Sequence, residues 1–157
     1  MTKFRLKIFL KCAYELILVF LQFFLISLHF FQWEFIPQKQ IIQVTPFSYL
    51  VGFLTIIIAF IMLIVAIKDL GRNLSPFPRP VNNSNLVNTG IYRFMRHPMY
   101  YSLILISFGF FITKLSFYYL ILSISLGLII KFKIALEEQY LNKKFKNYLL
   151  YKNEVKY

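Results

Sequence analysis

One short segment of this sequence collects side chains that suit the binding of a charged small molecule. It runs from Gly90 to Tyr100 and reads Gly-Ile-Tyr-Arg-Phe-Met-Arg-His-Pro-Met-Tyr, directly before an apolar stretch. Pro98 suits the first position of a helix, because it lacks the N–H that would be unpaired there. His97, which precedes the proline, is expected to be extended. The backbone N–H groups that follow would lie at the positive end of the helix dipole, which favours an anionic group.

A second candidate is the acidic pair Glu137-Glu138, which lies in a stretch from Lys131 to about Tyr148 without Gly or Pro. This stretch predicts a helix whose apolar face is formed by Ile134, Leu141, Phe145 and Tyr148. Glu138 falls on the same face, where a carboxylate is costly unless it has a partner, so we expect it to need a cation. Glu137 lies beside that face, four residues from Lys133, so a surface pair with Lys133 is one explanation of it and a role in the site is the other.

The composition indicates which elements must position these residues. The chain has 157 residues, of which 59% are hydrophobic and only 15% are charged, so a membrane protein is predicted. Four apolar stretches, 12–31, 47–67, 99–113 and 115–130, predict an all-α integral membrane fold with four transmembrane helices. Only Lys114 separates the last two, which therefore predict a tight hairpin. Lys114, Lys131 and Lys133 are expected to extend to the interfaces.

A single membrane domain, 1–157, is expected. It divides into two spans (1–67), a cytoplasmic loop (68–97), the helical hairpin (98–131) and a cytoplasmic helix and tail (132–157). Three prolines and an asparagine cluster in 68–97 predict an extended, turn-rich loop. In the first span, Glu15 is expected to pair with Lys11 and His29 to be hydrogen-bonded structure.

The positive charges predict the orientation. Segments before the first span, between the second and third, and after the fourth hold 16 of the 18 Lys and Arg residues. By the positive-inside rule both termini and the central loop are cytoplasmic, and a bacterial inner membrane is expected. The net charge of +12 does not indicate nucleic-acid binding, because the basic residues lie between apolar runs and form no continuous face.

Taken together, these residues resemble the isoprenylcysteine carboxyl methyltransferase family and its relatives among the phospholipid methyltransferases. The resemblance covers 70–151, including the segment Leu70-Gly71-Arg72-Asn73-Leu74-Ser75-Pro76-Phe77-Pro78. Its elements are Gly90, Tyr92, Arg96-His97-Pro98, Tyr100, a hairpin, Glu137-Glu138, Leu141, Phe145, Tyr148 and Tyr151. It implies a cytoplasm-facing site for S-adenosylmethionine. The cofactor-binding residues it implies are Tyr92, His97, Pro98, Glu137, Glu138 and Tyr148, and the catalytic residues are Arg96 and Tyr100.

The residues are compatible with that cofactor. Its ammonium would supply the cation that Glu138 lacks, and its carboxylate would accept from N–H groups near His97 and Pro98. Its sulfonium would lie against an aromatic ring such as Tyr100 or Tyr148. Arg96 would orient an anionic acceptor, whereas for an amine acceptor it would be structural.

The predicted function is methyl transfer to a lipidic or small hydrophobic acceptor: a prenylcysteine-like carboxylate, a phospholipid amine or a thiol. Two alternatives remain. One is an NADPH-dependent enzyme of the sterol-reductase type, and the other is a non-catalytic membrane protein that keeps the fold. The expected partners are the lipid bilayer and the acceptor; no metal site is predicted, and a protein partner is not identified by the sequence.

Overall fold

The computed structural model describes residues 2–31 and 39–156, whose regular structure is helical. Its five α-helices are α1 (Thr2–Leu28), α2 (Pro46–Leu70), α3 (Pro98–Lys114), α4 (Phe117–Lys144) and α5 (Tyr148–Glu154). Three segments are long and apolar enough to cross a membrane, namely Phe9–Leu28, Pro46–Asn73 and Phe117–Lys144, while α3 is a shorter apolar helix. With 17 residues, α3 lies at the lower limit of what spans a bilayer. The predicted all-α membrane fold is confirmed.

Helices α2 and α3 pack with their backbones in close approach. A Cβ added at Gly52 would lie 2.6 Å from Thr113 Cγ2 and 2.8 Å from the carbonyl oxygen of Gly109. One added at Gly109 would lie 2.6 Å from Ile56 Cγ1. Membrane helices pack through such small residues, because lipid provides no hydrophobic force to drive them together. The two glycines therefore fix α3, which begins at the predicted site, against α2.

The predicted tight hairpin of α3 and α4 is confirmed. Leu115 joins the helices in the left-handed conformation (φ 45°, ψ 42°), and Ser116 caps α4 by accepting from the N–H of Tyr118 at 3.2 Å. The carbonyl of Leu115 accepts from the N–H of Ile41 at 2.7 Å. The segment 39–41 and the hairpin turn thus lie together, and we call this the hairpin end of the bundle.

Helix α1 packs on α4 and is tied to the hairpin by a buried polar network. His29 Nε2 lies 2.7 Å from Ser107 Oγ, and its Nδ1 lies 2.8 Å from the carbonyl oxygen of Leu25. Ser107 in turn donates to Ser123 at 2.9 Å. The expectation that His29 is hydrogen-bonded structure is confirmed.

The helix predicted from Lys131 to about Tyr148 is interrupted, and this part of the prediction is wrong. Helix α4 ends at Lys144, Phe145 is extended (φ −114°, ψ 114°), and α5 begins at Tyr148. The change of direction buries Tyr148, Tyr151 and Val155 in one cluster, against which Leu86, Leu141 and Phe145 pack. Burial of these large side chains outweighs the local helix propensity of the linking residues.

Candidate functional site

A cavity of about 810 Å³, counted to its open mouth, lies where the end of α2, the loop 73–87, and the start of α3 meet α4 and α5. We call this the cavity end of the bundle, which contains Leu70, Pro98 and Lys144. Six of the eight residues predicted for the site line the cavity: Tyr92, Arg96, His97, Tyr100, Glu137 and Tyr148.

Gly90 begins the 3₁₀ turn (Gly90–Arg93) that places Tyr92 in the cavity wall. Its φ is +59°, and an added Cβ would lie 2.0 Å from Asp69 Oδ2. The same carboxylate oxygen accepts from the N–H of Ile91 at 2.8 Å. Both the backbone conformation and the close approach of Asp69 therefore require glycine here.

The start of α3 has the expected form. Pro98 occupies the first turn and is fully buried, and no side chain caps the helix. The N–H groups of Met99 and Tyr100 have no acceptor within the helix, as at any helix start. His97 is non-helical, but at φ −130° and ψ 53° it is less extended than predicted. This helix end can donate to an anionic group.

Glu138 contacts two cations that the protein itself supplies, Arg96 and Lys152, and the imidazole of His97. Arg96 Nε lies 3.0 Å and His97 Nε2 lies 3.3 Å from its Oε1, and Lys152 Nζ lies 2.6 Å from its Oε2. The Arg96 guanidinium also donates to the carbonyl of Val155. The prediction that Glu138 needs a cation is confirmed, and Arg96 and Lys152 supply it. Its carboxylate ties α3, α4 and α5 together.

Glu137, by contrast, lines the cavity and is held by Tyr100, whose hydroxyl donates to Glu137 Oε2 at 2.6 Å. Among the side chains that the structure describes, no basic one forms an ion pair with Glu137. The explanation of Glu137 by a surface pair with Lys133 is therefore wrong. Glu137 is the acidic residue that remains available to a ligand.

Lys133 is buried instead of extending to an interface, which corrects a second expectation. It is 1% exposed, and its ammonium donates to Gln22 Oε1 and, at 2.9 Å, to the carbonyl of Pro76. The reason is the rotation of α4. The buried face of α4 runs through Leu126, Ile130 and Lys133, and Glu137 is the next residue at helical spacing.

Tyr148 lines the cavity, and its hydroxyl is buried. The side chain is 1% exposed, and its hydroxyl has no hydrogen-bond partner among the residues that the structure describes. Burial raises the pKa of Tyr148, so the hydroxyl keeps its proton at neutral pH. An unpaired buried hydroxyl is unfavourable, and a ligand that accepted from it or donated to it would remove the cost.

Several wall residues were not predicted. Tyr151 lines the cavity, and its hydroxyl donates to the carbonyl of Tyr92 at 2.6 Å. The loop contributes Asn73, Ser75, Phe77, Pro78 and Arg79. The resemblance of the 70–78 segment to bacterial methyltransferases was the signal that could have identified them, since nothing in the local pattern assigns a loop to a wall.

Arg79 gives the loop its link to α1. Its Nη2 lies 3.2 Å from Glu15 Oε1, and this hydrogen bond raises the pKa of Arg79. The expected pair of Glu15 with Lys11 is wrong, because Lys11 Nζ lies over the ring of Tyr140, 4.2 Å from its centroid. Arg79 and Arg96, the two arginines lining the cavity, are thus each paired with an acid outside its lining. With both arginines paired, the Glu137 carboxylate is the charged group of the lining that a ligand can bind. A cationic or zwitterionic ligand fits it.

Comparison with known proteins gives one match. A sequence model of the family described as phospholipid methyltransferase matches residues 47–148, which is well over half of the chain. The matched region contains α2, the loop, α3, α4 and the start of α5, and it leaves α1 outside. No curated protein and no solved structure matches the chain.

Proposed function

Because this chain belongs to the phospholipid methyltransferase family, a group of membrane methyltransferases, we propose that it uses S-adenosylmethionine to methylate a lipidic or small hydrophobic acceptor. The family membership supports methyl transfer in general. The charged residues of the cavity support the choice of cofactor. The ion pairs of its two arginines bear on the choice of acceptor.

The observation that carries the proposal is the difference between two adjacent carboxylates. Glu138 is neutralised by Arg96 and Lys152, whereas Glu137 faces the cavity without an ion pair among the described residues. S-adenosylmethionine carries an ammonium group, which a cavity carboxylate would bind by a charge-assisted hydrogen bond. We therefore assign the ammonium to Glu137.

Other parts of the cavity fit the same molecule. The N–H groups of Met99 and Tyr100 at the start of α3 would donate to its carboxylate. The unpaired Tyr148 hydroxyl offers a further donor or acceptor. Tyr100 holds the Glu137 carboxylate in place through its hydroxyl. When bound, the cofactor supplies a methyl group already activated on sulfur, so the protein mainly orients the two partners and excludes water.

The paired arginines disfavour a carboxylate among the three acceptor classes. Arg96, the residue predicted to orient an anionic acceptor, is bound to Glu138 and to the carbonyl of Val155. Arg79 is bound to Glu15. A carboxylate acceptor would have to compete for either guanidinium, whereas an amine or a thiol would not. In this proposal Arg96 positions the start of α3, and His97, which also contacts Glu138, shares that role.

Binding of S-adenosylhomocysteine to the purified protein in lipid nanodiscs tests the proposal. Glu137→Gln should weaken binding by about tenfold or more, the effect of losing one charge-assisted hydrogen bond. Glu138→Gln is the matched control at the neighbouring position and should weaken binding much less, while lowering thermal stability. Equal binding in wild type and Glu137→Gln would contradict the assignment.

The alternatives predict different results in the same titration. Binding of NADPH without S-adenosylhomocysteine would favour a reductase, and binding of neither would favour a non-catalytic protein. A methyl-transfer assay against phosphatidylethanolamine, a prenylcysteine and a hydrophobic thiol then distinguishes the acceptors. The prenylcysteine carboxylate is expected to be methylated slowest.

A further inference from the structure

Helix α1 lies outside the matched region 47–148, yet it carries buried polar side chains on the face toward α4. Glu15 is 4% exposed and Gln22 is 6% exposed. Polar residues within a membrane helix are costly to bury unless they have partners, and such residues often serve function. Both side chains have partners, and through these partners each side chain is connected to the loop that lines the cavity.

Glu15 contacts the loop directly. Its Oε1 lies 3.2 Å from Nη2 of Arg79, and it also accepts from the hydroxyl of Tyr140 on α4. Pro78, next to Arg79, is fully buried and lines the cavity. The ion pair therefore holds one end of the loop segment 75–80 against α1 and α4.

Gln22 contacts the loop through Lys133. The Lys133 ammonium donates to Gln22 Oε1 and to the carbonyl of Pro76 at 2.9 Å. It also lies 5.4 Å from the ring centroid of Tyr100, the residue that holds Glu137. A buried ammonium needs acceptors for its protons. Among the described residues its acceptors are these two oxygens. Loss of Gln22 would therefore leave the carbonyl of Pro76 as the remaining acceptor.

Beyond this segment the loop is held by a different element. Lys144 at the end of α4 donates to the carbonyl of Asn82 at 2.9 Å and to Ser84 Oγ at 2.7 Å. Asn73 and Asn85 join the two ends of the loop by a pair of hydrogen bonds, each 3.3 Å. The part between Pro76 and Arg79 is thus the part that depends on α1.

We propose that Glu15 and Gln22 are positioning residues for the cavity. Acting through Arg79 and Lys133, they hold the loop segment 75–80 in the cavity wall and slow the exchange of a bound ligand with water. Only the identification of that ligand as S-adenosylmethionine rests on the proposed function. Helix α1 is then a part of the site, although the family match does not include it.

The position of the loop is tested by cysteine labelling, which needs no ligand. Cys12→Ser removes the single native cysteine, which is exposed, and Ser75→Cys places a thiol in the partly buried cavity wall, inside the segment 75–80. We expect Glu15→Leu and Gln22→Leu each to increase the rate of modification by a water-soluble maleimide about tenfold, as loss of one charged hydrogen bond implies. Labelling rates equal to that of the parent would overturn the proposal.

Matched variants separate positioning from general damage to α1. Phe20→Leu alters a lipid-facing residue two positions from Gln22 and should leave the labelling rate unchanged. Gln22→Glu keeps an acceptor for Lys133 and should restore slow labelling. Arg79→Gln removes the ion pair from the half-exposed loop side, so it tests the contact even if Glu15→Leu does not fold. Fast labelling in Phe20→Leu, or slow labelling in Arg79→Gln, would count against the proposal.

Cofactor kinetics provide the second measurement. In Glu15→Leu and Gln22→Leu, the dissociation rate of S-adenosylhomocysteine and the KM for S-adenosylmethionine should rise together, about tenfold, while kcat changes less than threefold. An equal fall in kcat with KM unchanged would overturn the positioning role. If the wild type binds no S-adenosylhomocysteine, the proposed function fails while the labelling experiment still decides the role of α1.

Discussion

At the scale of single residues, adjacent side chains of one helix have different functions. Glu138 joins three helices through Arg96, His97 and Lys152, and Glu137 remains available in the cavity. One residue step turns a helix by about 100°, which is enough to move a carboxylate from one environment to the other. The ion pairs of Glu138 also withdraw Arg96 from the ligand, so the cavity keeps an acidic character.

Tyr151 offers a test of the cavity wall by pH. Burial raises its pKa to about 12, against about 10 in an unfolded chain, and its hydroxyl donates to the carbonyl of Tyr92. A raised pKa means that the contribution to stability is complete below about pH 10 and is lost as the pH rises through 12.

Tyr151→Phe should therefore lower stability by about 1 kcal/mol at pH 9, the usual contribution of one hydrogen bond, and by progressively less as the pH approaches 12. Thermal unfolding of both proteins in the same detergent from pH 9 to pH 12 measures this difference. The lysines and the other buried tyrosines titrate in both proteins, so their effects on stability cancel in the difference. A difference that stays constant over this range would show that Tyr151 does not titrate as described.

At the scale of elements, the α2–α3 contact determines where the site begins. Gly52 and Gly109 bring the backbones together, and α3 carries His97 and Pro98 at its start. Asp69 near the end of α2 then reaches the N–H of Ile91. The close packing of these two helices thus fixes both the 3₁₀ turn and the first turn of α3.

Gly52→Ala and Gly109→Ala should each lower the free energy of unfolding by about 1–3 kcal/mol, the usual cost of overpacking. Gly127 on α4 is the matched control, because an added Cβ there meets no atom within 4 Å. Gly127→Ala should raise stability by about 0.5–1 kcal/mol, since alanine is the better helix former. Chemical or thermal unfolding in one detergent compares the three variants. Equal effects of all three would contradict the close packing of α2 and α3.

At the scale of the whole molecule, the bundle has two distinct ends. The hairpin end contains Lys39 and Lys114, the only Lys or Arg residues of their loops. The cavity end contains the loop, α5 and the candidate site. Most of the basic residues lie in the segments at this end. This asymmetry of charge supports the prediction that the cavity end faces the cytoplasm.

Orientation is tested by placing one cysteine at each end in the Cys12→Ser protein. Asn153→Cys lies on α5 and Gln40→Cys lies beside the hairpin turn, and both positions are exposed. A maleimide that cannot cross membranes should label Gln40→Cys from outside intact cells and Asn153→Cys only in inverted vesicles. The Cys12→Ser protein without a new cysteine gives the background. The reverse pattern would contradict the positive-inside prediction.

The sequence alone determined the features that depend on neighbouring residues. Long apolar runs predict the membrane helices, a lone lysine between two of them predicts the hairpin, and Pro98 predicts the start of α3. The Gly90–Tyr100 segment, the acidic pair and Tyr148 were predicted as a candidate site, and six of the eight residues predicted for it line one cavity. The helices, the hairpin and the start of α3 follow from backbone geometry and hydrophobicity, both of which are local, whereas the set of site residues came from the family resemblance.

The tertiary structure decided the features that depend on residues far apart in the chain. A helix pattern predicts which residues share a face, but only the neighbouring helices determine which face turns inward. That rotation places Glu137 in the cavity and buries Lys133. It also brings Glu138 to Arg96, with which it forms an ion pair. Glu15 meets Arg79 across 64 positions and Gln22 meets Lys133 across 111, and no local pattern encodes such pairs. The end of α4 likewise depends on the cluster that α5 buries against it.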